Sequence, residues 1–106
     1  MIYRDFQGKK LSALGMGCMR LPICDNDQSK IDMDAVREMV AYAMEKGINY
    51  YDTAWGYHDG QSEIAIGKVL ADYPRESFYL ASKFPGFSLQ NMEKVEEIFV
   101  RKRELP

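Results

Sequence analysis

Thiols and imidazoles are scarce in this chain: two cysteines and one histidine among 106 residues. Cys18 and Cys24 stand six positions apart with no histidine nearby, so neither a zinc-type ligand set nor a disulfide framework is expected. No metal site is expected at all. The thiols read as reduced, and Met1 to Lys10 contains no apolar leader core, so the expectation is a cytoplasmic protein. Uninterrupted apolar runs are only a few residues long, which excludes a membrane-spanning segment. A large charge of either sign is missing too. The net charge of −2 and pI near 5.4 remove any global pull toward nucleic acid or an anionic membrane. The one basic cluster, Arg101-Lys102-Arg103, is short and reads as a solvated end. No repeat, linker or low-complexity stretch interrupts the chain.

What remains is an ordinary globular composition. Apolar residues make up 46% and charged residues 28%, enough for one domain with a thin core. Ile2 to Phe6 and Leu11 to Leu14 read as a hairpin turning near Gln7-Gly8-Lys9. Gly15 to Arg20 reads as a strand. Its two glycines, Gly15 and Gly17, suit either a close backbone approach to a ligand or a position too crowded for a side chain. Leu21 to Lys30, polar and containing Pro22, reads as a loop. A helix begins near Asp32 or Asp34, with Val36, Met39, Val40, Ala43 and Met44 on one face. Met33, Met39 and Met44 are expected in the core. Gly47 supplies a left-handed cap after Lys46.

A strand from Ile48 to Thr53 follows, then a helix from about Ser62 to Asp72. Ile64, Ile66, Gly67 and Leu70 lie on its expected buried side, with Gly67 placed for tight packing against a strand. Phe78 to Phe84 forms a further strand, and a third helix starts near Ser88 or Asn91. It buries Met92, Val95, Ile98 and Phe99. Strict strand–helix alternation implies parallel strands joined by right-handed crossovers.

Two parallel strands emerging side by side would bring Asp52, Tyr57 and Lys83 to the same sheet edge. Each taken singly has a plainer reading: a turn cap, a rim aromatic and a solvated strand end. Together they form a proton-transfer set. An ammonium about 4 Å from a phenol, at an effective dielectric of ~20, favours the phenolate by about 4 kcal/mol. Asp52 would keep the lysine charged and aimed. The phenol can then donate a proton to a carbonyl oxygen or take one from an alcohol. Nothing in the chain is redox-active, so a hydride would come from a cofactor such as a nicotinamide.

The run Gly47-Ile48-Asn49-Tyr50-Tyr51-Asp52-Thr53-Ala54, then Tyr57, Gln61-Ser62-Glu63 and Ile66-Gly67-Lys68-Val69-Leu70, resembles the aldo-keto reductase signature. Leu14-Gly15-Met16-Gly17-Cys18-Met19-Arg20-Leu21-Pro22 is similar to that family's first barrel strand, and Tyr79-Leu80-Ala81-Ser82-Lys83 to its lysine strand. The likeness is strongest to the bacterial branch whose members often carry a C-terminal iron–sulfur module; the chain has no clustered cysteines for such a module.

The resemblance implies α/β architecture: the N-terminal part of a (β/α)8 TIM barrel, with an N-terminal β-hairpin and about three βα units. It implies NADPH-dependent reduction of a small aldehyde or ketone. Tyr57 would be the proton donor, Lys83 its ammonium partner and Asp52 the lysine's salt-bridge partner. Gly17, Cys18 and Met19 would lie beside the nicotinamide. Trp55 is expected either to line the substrate side or to pack at a hinge.

The family's fourth catalytic group, a histidine on the next strand, has no counterpart here, and His58 is expected to be an exposed or rim residue rather than a substrate contact. A full barrel takes roughly 250 residues. Residues 1–106 are therefore expected to form an incomplete oxidoreductase domain, truncated before most of the cofactor site. The alternative reading is an inactive fragment that self-associates or pairs with a missing barrel portion.

Overall fold

The computed structural model describes residues 1–83. Strands β1 (Tyr3–Phe6) and β2 (Lys9–Ser12) pair antiparallel, Tyr3 opposite Ser12 and Phe6 opposite Lys9. Gln7 and Gly8 turn the hairpin with φ of 50° and 80°. Two consecutive left-handed residues match the right-handed twist of the flanking strands.

A three-stranded parallel sheet, in the order β3–β6–β7, carries the rest of the architecture. It consists of β3 (Met16–Gly17), β6 (Tyr50–Asp52) and β7 (Tyr79–Ala81). Gly17, Asp52 and Ala81 are level in its register. The strands are shorter than the expected Gly15–Arg20, Ile48–Thr53 and Phe78–Phe84. Backbone bonding nevertheless continues beyond them: Cys18 N–H donates to Asp52 C=O at 2.8 Å and Thr53 N–H to Ala81 C=O at 2.9 Å. Trp55 N–H donates to Lys83 C=O at 3.2 Å.

Between β3 and β6 lies helix α1 (Met33–Glu45). Asp32 caps it, accepting from Ala35 N–H at 3.1 Å, which satisfies one of the free donors of the first turn. Gly47, at φ 89°, ends it as expected. Val36, Val40 and Ala43 form the buried line, with Met33 and Met44 partly buried against it. Met39 does not join them: it is 40% exposed. It lies about 100° around the helix from Val40, off the narrow line that meets the core.

Helix α2 (Gln61–Leu70) crosses from β6 to β7. Ile66, Val69 and Leu70 are buried on it with Gly67, whereas Ile64 is only half-buried. They pack with Cys18, Leu21, Tyr51 and Phe78 into one core. Tyr51 and Phe78 meet edge to face at 6.5 Å. The third helix expected from Ser88 lies outside the described residues.

The expected loop is also overturned. Leu21 to Lys30 is not a plain loop but contains a second hairpin, β4 (Ile23–Cys24) with β5 (Asp27–Ile31), Ile23 opposite Ile31. Asp25 and Asn26 make its turn at φ 55° and 53°. Their short polar side chains tolerate the left-handed region better than most. Among the described residues no helix is long and apolar enough to cross a membrane.

Candidate active site

The carboxyl ends of β6 and β7 deliver the three groups. Asp52 is the last residue of β6, and Lys83 lies two residues beyond β7. The Lys83 ammonium donates to Asp52 Oδ1 and, at 3.0 Å, to Thr53 C=O. It also sits 5.1 Å from the centre of the Tyr57 ring. Tyr57 opens the 3₁₀ turn Tyr57–Gly60, its N–H bonded to Ala54 C=O at 3.3 Å.

The structure thus brings together all three residues singled out from the sequence. Their side chains are only partly covered, at 50% exposure for Lys83 and 36% for Asp52. The Lys83 pKa lies above its usual 10.5, chiefly through the hydrogen bond to Asp52, with a further contribution from Tyr57 and slight burial opposing. Lys83 is therefore an ammonium throughout the neutral range.

Beside this trio runs the Gly17–Leu21 segment. Gly15 and Gly17 prove to be there for different reasons. A Cβ on Gly15 would stand 2.9 Å from a Tyr50 ring carbon, so packing excludes a side chain. A Cβ on Gly17 would meet nothing within 4 Å, so the strand presents open space level with Asp52.

Cys18 is wholly buried. Burial, with Asp52 nearby, pushes its thiol up to about 11. Its N–H is taken by Asp52 C=O, and its C=O accepts from Ser62 Oγ at 3.0 Å. Ser62 spends its one proton there, so the 2.7 Å contact with Thr53 Oγ1 has Thr53 as donor. Met19 is exposed. Trp55 is half-buried and lines a cleft with Gly56, Asp59, Gly60, Glu63 and Ile64, a different set from the trio.

His58 departs from expectation. It is 5% exposed rather than a rim residue, because its ring finds two backbone partners inside the fold, Leu21 N–H and Gln28 C=O. Sequence reasoning named Ser62 and Glu63 only as part of the resemblance and missed that both are buried, the latter accepting from the Ser82 hydroxyl. Their position at the start of a helix gave no sign of burial; only the proximity of β3 and β7 shows it. Among the described residues no group of three or more His, Cys, Asp or Glu is placed to hold a metal ion.

Residues 13–103 match the family model described as "Aldo/keto reductase family". A probable aldo-keto reductase 1 of Glycine max is 40% identical over 78 residues, which are 74% of this chain and 22% of that protein. An NADH-specific methylglyoxal reductase of Escherichia coli (strain K12) is 33% identical over 76 residues, 69% of this chain and 22% of that protein. Among solved structures, the aldo-keto reductase AKR11C1 of Bacillus halodurans, in its holo form, superposes with a TM-score of 0.67. It is 26% identical, and the match covers 96% of this chain and 36% of that one. A thermostable aldo-keto reductase, Tm1743, gives a TM-score of 0.66 over 38% of its length. The chain therefore spans about a fifth of the curated relatives it matches, and its architecture is the N-terminal part of a (β/α)8 barrel.

Proposed function

The chain belongs to the aldo/keto reductase family, and from that premise we propose that it carries the proton-transfer residues of a nicotinamide-dependent carbonyl reductase. A single observation supports this reading above all: one ammonium, Lys83, is bonded to Asp52 and lies 5.1 Å over the Tyr57 ring. The Tyr57 hydroxyl donates its proton to the oxygen of a small aldehyde or ketone. Lys83 stabilises the negative charge left on the phenol oxygen, and Asp52 holds Lys83 charged and aimed. In the reverse direction the phenolate takes the proton of an alcohol.

A bound nicotinamide dinucleotide supplies the hydride. The open Cα face of Gly17, level with Asp52, leaves room for a flat ring, and we assign Gly17, Cys18 and Met19 to its edge. Cys18 is wholly buried with both backbone groups engaged, so it would back that edge from beneath, offering neither surface nor a spare donor. Trp55 is proposed to face the substrate. NADPH is the form proposed, and since one matched relative is named NADH-specific, both belong in the assay.

The test is oxidation of NADPH or NADH with a reactive aldehyde, followed by absorbance, on the wild type and on Tyr57→Phe. A general acid of this kind is worth roughly 10²–10⁴-fold, so the variant is expected to lose about that much. Equal rates in the two proteins would discard catalysis by this chain.

A second reading rests on the outer strands β3 and β7, each paired on one side only among the described residues, and on Ile2, Phe6 and Leu14, each more than half exposed. Bare edges and apolar surface favour pairing with a further barrel portion or with another copy. On this reading the isolated chain is silent and associates. Gel filtration with hydrogen exchange decides: a well-protected monomer would contradict it.

A further inference from the structure

We propose that His58 is a positioning residue for Tyr57, fastening the turn that bears the phenol to the Cys18–Leu21 segment and to the β4–β5 hairpin. The inference rests on the reading of Tyr57 as proton donor.

Leu21 N–H donates to His58 Nε2 at 2.9 Å, and His58 Nδ1 lies 2.9 Å from Gln28 C=O. A backbone N–H can only donate and a carbonyl can only accept. Nε2 therefore carries the lone pair and Nδ1 the proton, a single neutral tautomer. The two partners lie 37 and 30 positions away in the chain, so one ring joins three separate segments.

The backbone around it is where such a clamp acts. His58 and Asp59 stand at φ 54° and 53°, and Gly60 follows at 88°. His and Asp tolerate the left-handed region better than most, and a run of three such residues bends the chain sharply just after Tyr57, so what fixes the run also fixes the residue before it. Tyr57, immediately before, is held on its own N–H side by a long 3.3 Å turn bond to Ala54. On its C=O side it accepts from Gln61 N–H, alongside the His58 carbonyl. The buried imidazole is thus the firm anchor of the turn. It ties the turn that bears Tyr57 to Leu21, while Ser62 holds Cys18, at the other end of the Cys18–Leu21 segment.

The single histidine makes the test unambiguous. Long-range ¹H–¹⁵N spectra of the full chain are expected to show the neutral Nδ1–H tautomer; a ring protonated on Nε2 instead overturns the proposal. Two variants follow. His58→Leu fills similar space with neither bond; His58→Gln keeps one acceptor and one donor. The readouts are the cross-peaks between the Tyr57 ring and the Lys83 side chain, assigned with Tyr57→Phe, and the exchange protection of the Leu21 amide. In His58→Leu both are expected to be lost while Tyr51 signals stay in place, and His58→Gln is expected to restore them together.

A folded His58→Leu that keeps the Tyr57–Lys83 cross-peaks overturns the proposal. If that variant does not fold, His58→Gln decides: joint retention supports the proposal, and loss of the cross-peaks, or their retention with an unprotected Leu21 amide, overturns it. None of these readouts needs turnover, so a failure of the carbonyl-reductase reading would register separately, in the aldehyde assay.

Discussion

The two ends of the parallel sheet use polar side chains to opposite effect. At the amino end, side chains are bonded to the main chain. Asn49 Oδ1 accepts from Ser12 N–H at 2.7 Å, and its Nδ2 donates to Lys10 C=O at 2.9 Å. Ser12 Oγ accepts from Asn49 N–H at 3.1 Å and donates to Leu14 C=O at 2.6 Å. Tyr3 donates its hydroxyl to Gly47 C=O at 2.8 Å. At the carboxyl end, Asp52, Tyr57 and Lys83 face one another, with one bond to the main chain from Lys83 to Thr53 C=O, and are partly open to solvent. An amide or hydroxyl locked to backbone closes the sheet under its hairpin. Side chains that satisfy one another, with charge still exposed, leave an arrangement that a ligand can enter.

This contrast predicts that substitutions at the two ends separate activity from stability. The largest effect is expected at the mouth. Tyr57→Phe should cost roughly 10²–10⁴-fold in kcat/KM for a reactive aldehyde. Its thermal melting should stay close to wild type, since the hydroxyl lies at a partly exposed site. Asn49→Ala should do the reverse. It removes two bonds and strands the buried Ser12 N–H, at about 2–3 kcal/mol of unfolding free energy in a denaturant melt. A Tyr57→Phe protein that melts like Asn49→Ala would erase the distinction between the ends.

The next effect concerns Cys18, which lies beneath the mouth. Its folded pKa of about 11 exceeds the ordinary 9.0, so the folded state keeps a proton that the unfolded chain gives up. The corresponding stability is whole below pH 9 and is lost as pH rises through 11, roughly 2–3 kcal/mol in all. Urea melts across that window, compared with Cys18→Ala, would read it. Cys24, exposed, should be alkylated long before Cys18. The smallest effect belongs to Tyr3→Phe at the closed end: an exposed hydroxyl-to-carbonyl bond is worth about 1 kcal/mol or less.

Much of this was legible from residue order. Asp32 and Gly47 announced the ends of α1 because capping chemistry is local. Parallel pairing of β6 with β7 followed from strand–helix alternation, and convergence of Asp52 and Lys83 followed from that. The β4–β5 hairpin was hidden because Gln28, Ser29 and Lys30 are all polar and exposed. Its usable signal was Asp25-Asn26 between Ile23 and Ile31. Met39 was misplaced because helical spacing does not tell how wide a stripe the neighbours cover. His58 was misread for a deeper reason. Both its partners are backbone groups of distant residues, and backbone groups leave no mark in a side-chain pattern.

The central claim is that Lys83 is gripped by Asp52 at the shared mouth of β6 and β7. It is tested most directly by titrating the Lys83 ammonium by NMR in the wild type and in Asp52→Asn. The pKa is expected above 10.5 in the wild type, because the carboxylate favours the charged amine, and lower in the variant. An identical titration in the two proteins would contradict the convergence on which the functional reading stands.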